Sequence, residues 1–102
     1  MYCFIGKNVE TIGHFAFEEN ELTEVTIPDS VKTIGDGAFF QNKLIKVKIP
    51  DSVTTIGNSA FKNKTEVTIG KNVETIGLHN DYVYKYVHIF LYMKMNILKK
   101  EF

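Results

Sequence analysis

The chain repeats one short phrase four times, and this repetition constrains its fold more than any other feature. The nine residues IGKNVETIG occupy 5–13 and occur again, unchanged, at 69–77. Two close variants lie between them, IPDSVKTIG at 27–35 and IPDSVTTIG at 49–57. Chains with repeats of this length fold as stacked copies of one unit, and each unit buries its apolar face against its neighbours. The sequence therefore predicts a solenoid whose function lies on an extended surface.

Equivalent positions recur at steps of 22, 22 and 20 residues, as the valine of the phrase shows at Val9, Val31, Val53 and Val73. An Ala-Phe pair follows the phrase in three of the four units. We therefore assign residues 1–77 to a solenoid domain of about four short coils. Residues 78–102 lack the phrase and form a separate C-terminal segment in this interpretation.

Each unit is predicted to contain a short strand. Polar and apolar residues alternate at 24–27 and again at 46–49, which is the pattern of a strand with one buried face. Pro28 and Pro50 then end the strands, because proline has no amide hydrogen to offer a continuing ladder. Stacking the units would place these strands side by side in a mainly β, parallel arrangement.

The rest of each unit is predicted to turn back over the core. The Asp-Ser pairs at 29–30 and 51–52 are expected to hydrogen-bond their own backbone in turns. Gly35 and Gly57 are expected to have positive φ, where a Cβ would clash. The Ala-Phe pairs are expected to form short helical turns that insert a large ring between coils.

Charge and hydropathy exclude several classes of partner. Twelve basic and twelve acidic residues leave no net charge, which removes the electrostatic argument for binding nucleic acid. The longest apolar stretch, at 89–93, is far shorter than the ~20 residues of a membrane helix. No basic region followed by an apolar stretch opens the chain, so no secretory signal is visible. We predict neither a nucleic-acid partner nor membrane insertion.

The residues that could carry chemistry all have simpler interpretations. Cys3 occupies the strand position of Val25 and reads as a small buried hydrophobe. Ser30 and Ser52 recur with the repeat and read as turn residues rather than nucleophiles. Three histidines lack metal-ligand spacing and read as solvent-facing turn residues: His14, His79 and His88. We therefore predict no catalytic residue, no cofactor, no metal site and no enzymatic activity.

The exposed strand positions form the candidate site, which is a protein-binding face. Their polar side chains would line up across neighbouring coils and alternate in charge along one row. The face lacks an aromatic residue or an arginine between residues 24 and 68, and such anchors dominate binding energy. A merely solvated sheet face is the competing interpretation. The six residues are Glu24, Thr26, Lys46, Lys48, Glu66 and Thr68.

The stretch IPDSVTTIGNSAF, with Leu22 and Leu44 upstream of the strands, resembles the BspA-like leucine-rich repeats of bacteria and protists. The resemblance covers residues 3–77. It implies a right-handed solenoid with a parallel sheet on its concave face, in a surface-exposed or secreted protein that binds other proteins or mediates adhesion. It brings no catalytic residues. The chain departs from the pattern where the third unit is two residues shorter and where Asn80-Asp81 replaces the fourth Ala-Phe pair.

A second hypothesis treats the chain as a structural piece of a longer array, or as a module that self-associates through open ends. Core residues such as Ile5 and Val9 would then be exposed at the first coil. At the other end, Val87 and Ile89 follow Val67 and Ile69 by 20 residues and predict a capping strand around 86–92. The same residues also suit one side of a helix.

Overall fold

The computed structural model describes residues 2–61 and 65–80, which contain eight short strands. The strand predicted around 86–92 lies outside the described residues. The strands are β1 (Tyr2–Phe4), β2 (Thr11–Ile12), β3 (Glu24–Thr26), β4 (Thr33–Ile34), β5 (Lys46–Lys48), β6 (Thr55–Ile56), β7 (Glu66–Thr68) and β8 (Thr75–Ile76).

Each coil of the stack contains one three-residue strand and one two-residue strand. We define coil 1 as residues 2–23, coil 2 as 24–45, coil 3 as 46–65 and coil 4 as 66–80. The two-residue strands form one parallel sheet in the order β2-β4-β6-β8, and the three-residue strands pair in parallel as β1-β3 and as β5-β7. The predicted mainly β repeat stack is confirmed.

The three-residue strands do not form one continuous sheet, because their pairing is interrupted between coil 2 and coil 3. Strands β3 and β5 are neighbours but belong to different sheets. Both precede a proline, which cannot donate to a ladder. At the next step Gly70 stands in the proline position, and a Cβ there would lie 2.7 Å from the Pro50 carbonyl carbon. Glycine therefore lets coil 4 approach coil 3 closely, and the Ile49 amide donates to the Thr68 carbonyl at 2.8 Å.

The core consists of equivalent residues stacked from coil to coil. The valine and isoleucine of each phrase are buried in the two central coils. Phe17, Phe39 and Phe61 form a column of stacked rings, with centroids 5.4 and 5.3 Å apart. Stacked pairs contribute about 0.5–1.5 kcal/mol beyond the area they bury. Repetition of the sequence thus becomes a continuous apolar column inside the stack.

The predicted helical turns at the Ala-Phe pairs are wrong, because the described residues contain no helix. The pairs lie in turns closed by bonds such as Ala38 N to Gly35 O at 3.3 Å. The phenylalanine amide bonds to the next coil instead: Phe17 donates to Ala38 O at 2.9 Å, and Phe39 to Ala60 O at 3.1 Å. An amide that donates to the next coil does not donate within its own coil, so the turn cannot continue as a helix.

The predicted positive φ at Gly35 and Gly57 is also wrong, since within the described residues Gly37 is the glycine with that conformation. Glycine is required at these positions by close approach between coils. A Cβ on Gly35 would lie 2.8 Å from the Gly13 carbonyl carbon, and one on Gly57 would lie 2.6 Å from that of Gly35. The positive φ falls two residues later in every coil, at Phe15, Gly37, Ser59 and His79.

The Asp-Ser turns do not form the local side-chain bonds that the sequence predicts. Backbone bonds close these turns, from Val31 N to Pro28 O at 3.1 Å and from Val53 to Pro50 at 3.2 Å. The Ser30 and Ser52 hydroxyl oxygens are buried and have no hydrogen-bond partner in the described part of the chain. Because the turns are already closed by the backbone, these side chains point inward.

Two departures from the repeat are compensated by buried polar side chains. In the shortened third coil, Thr65 is buried and its hydroxyl donates to the Leu44 carbonyl at 2.9 Å. In the fourth coil, Asn80 is fully buried and its Oδ1 accepts from the Phe61 amide at 2.9 Å. Its Nδ2 donates to the Gly57 carbonyl at 3.0 Å. Asn80 thus replaces the alanine carbonyl that serves this amide in the other coils.

Candidate protein-binding face

The structure places all six residues of the predicted face on the three-residue strands with exposed side chains. The middle residue of each strand, Val25, Val47 or Val67, is buried. Alternation along a strand puts the flanking residues on the opposite side from the buried valine. The exposed side chains of β3, β5 and β7 therefore share one surface, which we call the strand face.

Sequence reasoning missed an aromatic residue on this surface. Strand β1 pairs with β3 in the register Cys3↔Val25 and Phe4↔Thr26, so Phe4 extends the strand face by one coil. Its side chain is 74% exposed. The alignment of Cys3 with Val25 was visible in the sequence, and the same alignment puts Phe4 beside Thr26. The strand face therefore includes an exposed aromatic residue, which its positions on β3, β5 and β7 lack.

The predicted alternation of charge is realised in part. Lys46 and Glu66 are direct neighbours in the β5-β7 ladder, whereas Glu24 pairs in register with Tyr2 of β1. The ion pairs of the described residues lie elsewhere, as between Lys32 and Glu10 at 3.4 Å and between Lys71 and Asp51 at 3.9 Å. Within the described residues, the charged groups of the strand face thus carry no ion pair.

A hollow adjoins the strand face where the strands end. It has a volume of about 1010 Å³ and is lined by residues 25–29 of coil 2, 48–52 of coil 3 and 68–70 of coil 4. Thr26, Lys48 and Thr68 of the strand face line it, and so do Asp29 and Asp51, which lie in the turns that follow β3 and β5. Three of the six predicted residues therefore border the concave part of this surface, and the first residues of the same strands lie outside it.

The side chains of His14 and Cys3 lie apart from the strand face, and His88 lies outside the described residues. His14 is exposed, and its Nδ1 accepts from the Asp36 amide at 2.9 Å. Burial raises the pKa of the Cys3 thiol above its usual value, so less of the reactive thiolate is present at neutral pH. Within residues 2–61 and 65–80 no three His, Cys, Asp or Glu side chains lie close enough to share a metal ion.

No helix in the described ranges is long and apolar enough to cross a membrane. Comparisons with curated proteins and with solved structures gave no match. A family model does match, that of the BspA type leucine rich repeat region, in six copies over residues 2–97. Leucine-rich repeats are in general protein-interaction modules, and the parallel stack and its exposed strand face agree with that description. The chain belongs to the BspA-type leucine-rich repeat family.

Proposed function

We propose that this protein binds another protein through the strand face, with Phe4 as the apolar anchor at its coil 1 end and the charges of β5 and β7 further along the same face. The observation that carries the proposal is the exposure of Phe4 in register with the predicted face. Interfaces combine a few aromatic anchors with a polar surround that sets orientation and specificity. Adhesion at a cell surface, which the family resemblance implies, is one setting in which such a face would act.

The test is a selection of binding partners from a displayed library on the immobilised chain. Each selected binder is then measured by calorimetry against Phe4→Ala and Lys46→Glu. We expect Phe4→Ala to weaken binding about tenfold or more, as truncation of an aromatic anchor does. Lys46→Glu should also weaken binding while leaving the circular dichroism spectrum unchanged, because Lys46 is exposed.

Leu78→Ala is the matched control, because Leu78 is 65% exposed and lies in a turn of coil 4, outside the strand face. It should leave the affinities unchanged. Binders that are insensitive to both face variants, or equally sensitive to Leu78→Ala, would contradict the proposal.

Self-association is a second candidate, favoured by the outer side of coil 1. Ala16 is exposed and Phe17 is only partly buried, whereas their equivalents Ala38 and Phe39 are fully buried between coils. A second copy of the chain would cover this apolar surface. Light scattering after size-exclusion chromatography should then show oligomers that grow with concentration and that Ala16→Glu disperses. A monomer at every concentration would eliminate this candidate.

A further inference from the structure

The hollow beside the strand face is lined by charges of both signs. Asp29 and Asp51 occupy equivalent positions in adjacent coils, which brings them together on one rim. Asp51 is 58% exposed on its side chain and pairs at 3.9 Å with Lys71, while Asp29 forms no ion pair in the described part of the chain. Lys48, at the end of β5, lines the same hollow. The aspartate rim therefore has a carboxylate free to receive a cation.

Part of the lining of the hollow is apolar. Pro28 and Ile69 are partly exposed there, and Ile27 and Ile49, which also line it, are buried. Ser52 also lines the hollow, but its hydroxyl oxygen is buried, so the apolar surface of Pro28 and Ile69 is the part that a ligand could contact here.

We infer that the hollow takes an extended peptide segment that sets a lysine or arginine against Asp29 and Asp51 and an apolar side chain on the Pro28–Ile69 surface. A volume of about 1010 Å³ accommodates several residues rather than one side chain. Charge complementarity selects a basic segment over an acidic one at the aspartate rim. The inference rests on the proposed protein-binding role and specifies the chemistry of the partner.

The experiment uses fluorescence anisotropy with two labelled nine-residue peptides. One alternates valine with lysine, and the other alternates valine with glutamate. We expect the intact chain to prefer the lysine peptide, and the double variant Asp29→Asn/Asp51→Asn to lose about three- to tenfold in affinity for it, the effect of two exposed charge pairs. Asparagine at 51 keeps a side-chain acceptor for the Lys71 amide, which Asp51 binds at 2.9 Å.

Two further variants make the result specific. Lys48→Gln should tighten binding of the lysine peptide, because it removes a like charge from the lining of the hollow. Glu18→Gln/Glu74→Gln changes the net charge by the same amount as the aspartate pair, outside the hollow, and should leave the affinity unchanged. Equal binding of both peptides, or equal losses in the two double variants, would overturn the inference.

The outcome is separable from that of the proposed function. If library binders depend on Phe4 but the chain does not prefer the lysine peptide, the proposed binding face is retained and only the basic partner is rejected. If library binders are insensitive to the strand-face variants but the lysine peptide binds through Asp29 and Asp51, the proposed face is rejected. The hollow is then retained as a peptide-binding site.

Discussion

At the scale of single residues, the same amino acid at equivalent repeat positions has different packing constraints in different coils. The glycine that ends each phrase shows this. A Cβ on Gly57 would lie 2.6 Å from the Gly35 carbonyl carbon of the preceding coil, whereas one on Gly13 would meet nothing within 4 Å. Neither residue has positive φ. The difference between them therefore comes from packing between coils and not from backbone conformation.

We predict that Gly57→Ala destabilises the protein by about 1–3 kcal/mol, the usual effect of forcing an atom into a packed site. Gly13→Ala is the matched control at the equivalent position. It should be neutral or stabilising by up to about 1 kcal/mol, because alanine restricts the unfolded chain without a clash. Urea unfolding of both variants measures the difference. Equal effects would show that the glycines serve local conformation instead.

At the scale of elements, the turns form a hydrogen-bonded ladder of their own. The amides of Phe15, Gly37 and Ser59 donate to carbonyls of the following coil at 2.8 Å. A row of side chains runs beside it: Asp36 Oδ1 accepts from the Asn58 amide, and Asn58 Oδ1 from the Leu78 amide, each at 2.8 Å. These bonds join the coils at the turns, where no described strand pairs them. The turns therefore hold the register between coils, as the sheets do.

The amides of Phe17, Phe39 and Phe61 form a second row that donates to the following coil, and the side chain of Asn80 accepts the last of these bonds. We predict that Asn80→Ala costs about 2–3 kcal/mol, since it leaves a buried amide and the Gly57 carbonyl without this partner. Asn72→Ala is the control, because Asn72 is exposed and its side chain donates one bond to the Asp51 carbonyl. It should cost less than about 1 kcal/mol.

Thermal and urea unfolding of the two asparagine variants, with hydrogen exchange at the Phe61 amide, provide the measurement. Exchange at Phe61 should accelerate in Asn80→Ala and remain slow in Asn72→Ala. An unchanged melting temperature in Asn80→Ala would refute the role of Asn80 as a substitute for the alanine carbonyl.

At the scale of the whole molecule, each coil is stabilised by the coils on either side of it. The strand pairings join each coil to the next along the stack. In such a chain stability is approximately a sum over neighbouring units, so damage to a central coil removes two interfaces at once. Ile34 in coil 2 is 0% exposed and lies in β4, between β2 and β6.

We predict that Ile34→Asp abolishes cooperative unfolding, because it buries a charge without a partner in the shared apolar column. Ile45→Asp makes the same substitution in the same coil at a side chain that is 71% exposed. It should change stability by less than about 0.5 kcal/mol. Circular dichroism during heating distinguishes the two, and a normal melt for Ile34→Asp would contradict the fold.

The sequence by itself determined the stack, its register and its buried residues, because these follow from periodicity: Val31 and Val53 recur, so they must meet the same surroundings. It also determined which strand residues are exposed. The tertiary structure decided what depends on the neighbouring coil. It showed that Gly57 is required by the backbone of coil 2, that Asn80 replaces a carbonyl, and that Phe4 joins the strand face. These roles come from atoms about 20 residues away in the chain, and a local pattern does not contain such distances.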